Sequence, residues 1–188
     1  NSSTFDIIRL TAGWTHDTRN RAILADRGMY TDLSAELAVP GGGLAFYKLN
    51  YHELGYIPLN KDITLYLNGQ VSYGDGYDGT TGLPFFENFF AGGPQSVRGF
   101  KVNSLGPKDG LNRALGGAFM TVANTEVFFP MPFVGASKSL RLSLFFDIGN
   151  VYDKISDFDP GQLRAGAGVS VTWISPVAPL TFSLGWPV

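Results

Sequence analysis

The sequence predicts an all-β protein, an antiparallel transmembrane β-barrel, and three observations carry that prediction. Apolar and polar residues alternate along segment after segment with the two-residue period of a half-buried strand. The chain is greasy without any long apolar run: 44% of its 188 residues are hydrophobic and only 16% charged, against roughly a quarter in ordinary soluble domains. Aromatic residues are abundant (15 Phe, 8 Tyr, 3 Trp) and several close the apolar faces, at Trp14, Tyr73, Trp173 and Trp186, as rings do at a membrane interface. No stretch approaches the ~18 apolar residues of a membrane helix, so strands must carry the apolar surface.

Eight segments of about ten residues follow, the length a tilted strand needs to cross a bilayer. Residues 5–15, 29–39 and 44–55 alternate with some noise. In 63–73, Ile63, Leu65, Leu67 and Val71 oppose Thr64, Asn68, Gln70 and Ser72. Residues 117–129 put Asn124 and Glu126 on one face and Thr125, Val127 and Phe129 on the other. In 139–149, Leu140, Leu142, Leu144, Phe146 and Ile148 oppose Ser139, Arg141, Ser143, Asp147 and Gly149, joined by Phe145. In 163–173, Ala165, Ala167, Val169, Val171 and Trp173 oppose Arg164, Gly166, Gly168, Ser170 and Thr172. Finally Leu180, Phe182, Leu184 and Trp186 oppose Thr181, Ser183 and Gly185.

A soluble sandwich also alternates. The polar faces, however, carry Arg9, Asp32, Glu36, Lys48, Arg141, Asp147 and Arg164, too many charges for a dry core, and fit a wet lumen better. The connections alternate in length too. "IPLNKD" and "ISPVAP" are tight, as periplasmic turns are, whereas 74–116 and 150–162 are long, as external loops are. The connection 16–28 is longer than its side of the barrel calls for. Nothing in the composition divides residues 1–188 into more than one domain.

Other classes find little support. A net charge of -2 offers no field for nucleic acid, and the absence of cysteine removes disulfides and thiolate metal sites. His16 and His52 are too few and too scattered for a metal centre. His52 near a serine of another strand would suggest a barrel lipase, but no G-x-S-x-G motif accompanies it. "PGGG" and "YGDGYDG" read as turn and loop entry, not phosphate loops. No cofactor is expected and no catalytic residue stands out.

The stretch "SVRGF", with its motif residues Val97, Arg98, Gly99 and Phe100, resembles the loop-six signature of the BamA family, the central subunits of the bacterial outer-membrane β-barrel assembly machinery. "WTHDTRN", "FFENFFAGGPQSVRGF", "FFDIGNVYD" and "VTWISPVAPLTFS" resemble other family segments, in the family's order. The resemblance implies strands eight to fifteen of a sixteen-stranded barrel, with loop six at about 74–116 folded inward. The family's first seven strands, its periplasmic POTRA domains and its aromatic-ended last strand have no counterpart before Asn1 or after Val188, so a part of a larger barrel is expected. The implied function is insertion of β-barrel proteins into the bacterial outer membrane, without enzymatic chemistry. The implied partners are the lipid bilayer, unfolded outer-membrane clients and accessory lipoproteins. A two-partner-secretion translocator of the same superfamily and a passive porin remain alternatives.

Arg98 has a predicted place. If the hairpin after residue 129 turns between Ala136 and Ser137, Phe129 faces Leu144, Val127 faces Phe146, and Glu126 falls opposite Asp147. Two adjacent carboxylates in a lumen repel, and a guanidinium fork relieves them. Arg98 is the candidate cation, and the family reading likewise holds the loop-six arginine by acidic residues of the wall. Gly149, Gly166 and Gly168 are expected to leave room for the loop, and Gly92, Gly93 and Gly99 to let its backbone pack closely or take positive φ. The rings of Phe85, Phe86, Phe89, Phe90 and Phe100 are expected to be covered rather than exposed. The first and last strands are expected not to pair, because an eight-stranded barrel is filled by its own side chains and has no space for such a loop.

Overall fold

The computed structural model describes residues 6–131, 140–175 and 177–188. The alternating segments become β1 (Ile8–Asp17), β2 (Gly28–Val39), β3 (Phe46–Pro58), β4 (Thr64–Gly76), β5 (Phe119–Pro130), β6 (Leu140–Tyr152), β7 (Arg164–Ile174) and β8 (Pro179–Pro187). They pair in chain order as one antiparallel sheet, and β1 does not pair with β8. Both lateral edges are therefore free, as expected from the size of the loop. Among the described residues the only helical elements are single 3-10 turns, at Phe85–Glu87, Ile155–Asp157 and Pro160–Gln162.

Parity is as the alternation predicts. On β6, Leu144 and Phe146 are 53% and 45% exposed on the outer face, whereas Ser143, Phe145 and Asp147 are buried on the inner one. On β7, Gly166, Ser170 and Thr172 are buried and Val169 and Trp173 exposed. An outer face of Leu, Val, Phe and Trp with a polar inner face is the arrangement of a membrane barrel wall.

The predicted β5–β6 register is off by two residues. Glu126 faces Phe145, and Asp147 faces Asn124; Val127 pairs with Leu144 and Phe129 with Leu142. The turn expected between Ala136 and Ser137 lies outside the described residues. A shift of two leaves every side chain on its predicted face, which is why the alternation could not detect it.

The long connection between β4 and β5 turns back over the concave side. Its Ala91, Val97 and Leu105 pack with Met120 and Val122 of β5 and Val151 of β6, with Phe89 and Phe100 against them. Fully burying one such Val is worth about 2 kcal/mol. The expected cover of all five phenylalanines does not hold, because Phe85 is 79% and Phe86 50% exposed, and Phe90 is also exposed. The two rings precede Glu87 in one tight 3-10 turn, and three consecutive residues cannot all face the wall; Glu87 takes that position. On the opposite rim, the 16–28 connection is ordered by a bidentate Arg19–Asp17 pair and folds inward, where Arg141 donates to the Ala25 carbonyl.

Candidate functional site

The site begins with a backbone turn. Gly92, Gly93 and Gly99 all have positive φ, of 110°, 92° and 93°. At Gly99 the requirement is double: besides its φ, a Cβ would stand 2.8 Å from the Trp186 carbonyl carbon. The Ser96 hydroxyl accepts from the Gly92 amide, and Asn124 of β5 donates to the Ser96 carbonyl. The loop is thereby seated on the wall just before Arg98.

Arg98 then enters a nearly dry pocket. Its Nε and Nη2 donate to the two oxygens of Asp147 at 2.7 and 2.9 Å, a fork-on-fork pair. Its backbone amide donates to the same carboxylate at 2.9 Å, and Nη1 reaches Glu126 Oε2 at 2.9 Å. Asp147 is fully buried, Glu126 8% exposed and Arg98 13%. Ser143 donates to the remaining Glu126 oxygen, so both carboxylates have partners on each oxygen. Burial opposes the Arg98 charge, but the Asp147 and Glu126 carboxylates outweigh it and hold the pKa above its ordinary value.

The true register explains how one cation serves two anions. Directly opposed carboxylates would lie about 5 Å apart at Cβ, whereas diagonal ones are about 7–8 Å apart. Glu126 and Asp147 are diagonal, with Phe145 between them. The Arg98 guanidinium carbon sits 3.6 Å above the Phe145 ring centroid, a stacking that adds attraction to the fork. The ring in turn lies over glycine: a Cβ at Gly168 would meet it at 2.6 Å and one at Gly185 at 3.0 Å. Gly168 and Gly185 face each other across β7 and β8. The site is thus a stack of glycine floor, aromatic ring and guanidinium.

This assigns the predicted glycines different duties. A Cβ at Gly166 would fall on the Arg98 carbonyl oxygen, so this glycine does make room for the loop. Gly168 makes room for Phe145 and for the neighbouring strand instead. A Cβ at Gly149 would stand 2.6 Å from the Thr121 carbonyl and 3.0 Å from Val122, so this glycine admits β5 first of all. Val97 is fully buried in the loop core and Phe100 packs against it. Phe145 itself was overlooked as a site residue. Its signal was present, as the lone aromatic on the polar face of its strand, but its role depends on register.

Neither histidine is hydrogen-bonded to Arg98, Glu126 or Asp147. His52 bonds to Asn68, which donates to Asn124, and His16 stacks on Trp14 of the outer face. No cluster of metal-binding side chains occurs among the described residues.

Known proteins resemble this chain closely. It is 36% identical over 206 residues to the outer membrane protein assembly factor BamA of Neisseria meningitidis, covering 95% of this chain and 26% of that protein. It is 29% identical over 143 residues to the human sorting and assembly machinery component 50 homolog, covering 72% and 29%. Its fold superposes with a TM-score of 0.87 and 30% identity on the crystal structure of BamA from Haemophilus ducreyi lacking POTRA domains 1–3, covering 96% of this chain and 38% of that one. The chain therefore spans about a quarter to two fifths of the length of these relatives. The Omp85 superfamily domain matches residues 1–188 from end to end, and the chain belongs to the Omp85 superfamily.

Proposed function

We propose that this chain is the loop-bearing part of an outer-membrane β-barrel insertase, strands eight to fifteen of its barrel. The whole protein folds and inserts unfolded β-barrel clients into the outer membrane of a Gram-negative bacterium, alongside accessory lipoproteins. The observation that carries this reading is the Arg98 lock, in which the motif residues hold a long loop inside the concave wall. A loop fixed there by five polar contacts obstructs a lumen, which argues against a passive porin. The 36% identity to a bacterial assembly factor along 95% of the chain supports the bacterial over the mitochondrial setting. The reading assigns no covalent chemistry to the chain: strand exchange needs only hydrogen-bonding edges and a held lumen.

Insertion of unfolded β-barrel clients into lipid vesicles by the full-length protein tests the proposal. Arg98→Ala and Asp147→Asn should each slow insertion while the barrel itself still forms. Unchanged insertion combined with lost export of one soluble client would favour the two-partner-secretion reading instead. Steady channel conductance indifferent to Arg98→Ala would favour a porin.

A further inference from the structure

Three inward charges, Arg9 on β1, Glu36 on β2 and Lys48 on β3, stand apart from the Arg98 lock, on the opposite limb of the sheet. They meet the same loop at a different point. Glu87, in the 3-10 turn that opens the loop's inward course, accepts from Arg9 Nη2 at 2.6 Å and from Lys48 Nζ at 3.0 Å. Arg9 also donates to Glu36 at 2.8 Å. Aromatic rings hold both cations from the side: Arg9 lies 5.5 Å from the centroid of the fully buried Phe46, and Lys48 lies 5.0 Å from Phe89 of the loop. The Glu87 side chain is 10% exposed, with both oxygens occupied.

We propose that Glu87 is a second positioning residue, anchoring the entry of the loop to the β1–β3 wall with polarity opposite to that of Arg98. The wall charges make the case. Without the loop, Arg9, Lys48 and Glu36 leave one surplus positive charge, and Glu126 with Asp147 leave two negative ones. The loop supplies an anion to the first patch and a cation to the second, eleven positions apart in sequence (98 − 87). Docked the other way round, it would put Arg98 beside two cations and Glu87 beside two carboxylates. Attraction at both ends and repulsion in the swapped arrangement together fix one orientation, which a single lock does not achieve. The anchor rests on geometry and does not depend on the insertase reading.

Hydrogen exchange of the full-length protein in lipid vesicles tests it, because each end of the loop can be read separately. The amide of Phe89 donates to Gly117 beside the anchor, and that of Arg98 to Asp147 within the lock. Glu87→Gln, which keeps shape and removes charge, should speed exchange across 85–91 by up to about fivefold while 96–100 changes much less. Glu87→Lys should speed it more, since three cations then share one carboxylate. Combining Glu87→Lys with Lys48→Glu restores the net charge of the group, although a carboxylate at position 48 then stands opposite Glu36, and should recover part of the protection that Glu87→Lys loses. Heat-modifiable gel mobility reports whether each variant folds; if Glu87→Lys does not, Glu87→Gln still decides. Unchanged exchange at 85–91 in Glu87→Gln would overturn the anchor. A double variant no better protected than a folded Glu87→Lys would overturn direct pairing.

Discussion

Against β5–β7 the loop presents Arg98 to two carboxylates that water hardly reaches; against β1–β3 it presents Glu87 to two cations that water partly reaches. Side-chain exposures are 13%, 8% and 0% for Arg98, Glu126 and Asp147, against 10%, 17% and 39% for Glu87, Lys48 and Arg9. Arg9, on β1 at one end of the sheet, is the wettest of the six. Charge arithmetic alone would rate the two contacts alike. Desolvation separates them: in the dry site attraction and desolvation largely offset each other while the pair is intact, and removing one partner leaves a charge with nowhere to go. In the wetter site water replaces a lost partner, and little is gained or lost. The dry contact is therefore the one that fails abruptly.

The comparison breaks most visibly at Arg98. Arg98→Ala leaves Glu126 and Asp147 facing an empty pocket and should cost about 3–5 kcal/mol, read as a lower unfolding midpoint of the folded barrel in denaturant. Adding Asp147→Asn should restore part of that loss, because one of the two stranded anions is then gone. A double variant as unstable as the sum of the singles would mean that the charges are not coupled.

The stack beneath the guanidinium comes next. Gly168→Ala places a methyl 2.6 Å from the Phe145 ring and against the β8 backbone, which should cost about 1–3 kcal/mol in the same unfolding measurement. Phe145→Leu keeps an apolar side chain but removes the ring face under Arg98. A smaller loss of about 1–2 kcal/mol is expected, and it should vanish in an Arg98→Ala background. Persistence of the full loss there would assign Phe145 to packing alone.

How far the site was legible follows from what each part depends on. The faces of Glu126, Asp147, Gly166 and Phe145 depend only on parity, and alternation delivers parity. The partnering of Arg98 with both acids was accessible from a motif, a long loop and two inward carboxylates. The stack was not, because it requires knowing that Phe145 lies opposite Glu126 on one side and Gly168 on the other, and these two registers hang on the β5–β6 turn and the β6–β7 connection, whose centres no residue marks. "GASK" and the same turn one residue earlier preserve parity equally well, and Pro130, which cannot donate to the ladder, sits beside it. Glu87 was missed for a different reason. It lies in a loop, where no period exists to say which of Phe85, Phe86 and Glu87 turns to the wall, and hydrophobicity alone gives the wrong answer.

The smallest expected effect sharpens the comparison through pH. Burial raises the Glu87 pKa, but Lys48 and Arg9 outweigh it and hold the carboxyl below its ordinary value of 4.5. A carboxylate whose folded-state pKa is depressed stabilises the fold fully above its unfolded value, and that contribution is lost as pH falls through the folded one. The entry of the loop should therefore stay equally protected from neutral pH down to about 4.5, then loosen below it, by no more than about 1 kcal/mol given the wet surroundings. Exchange across 85–91, corrected for the intrinsic pH dependence of amide exchange, measures the step. Glu36 faces the same cations, so Glu36→Gln is the control. The acid step should survive in Glu36→Gln and disappear in Glu87→Gln. A step that persists in Glu87→Gln would belong to another carboxylate, and the wetter wall would then owe its hold on the loop to Phe89 packing and not to charge.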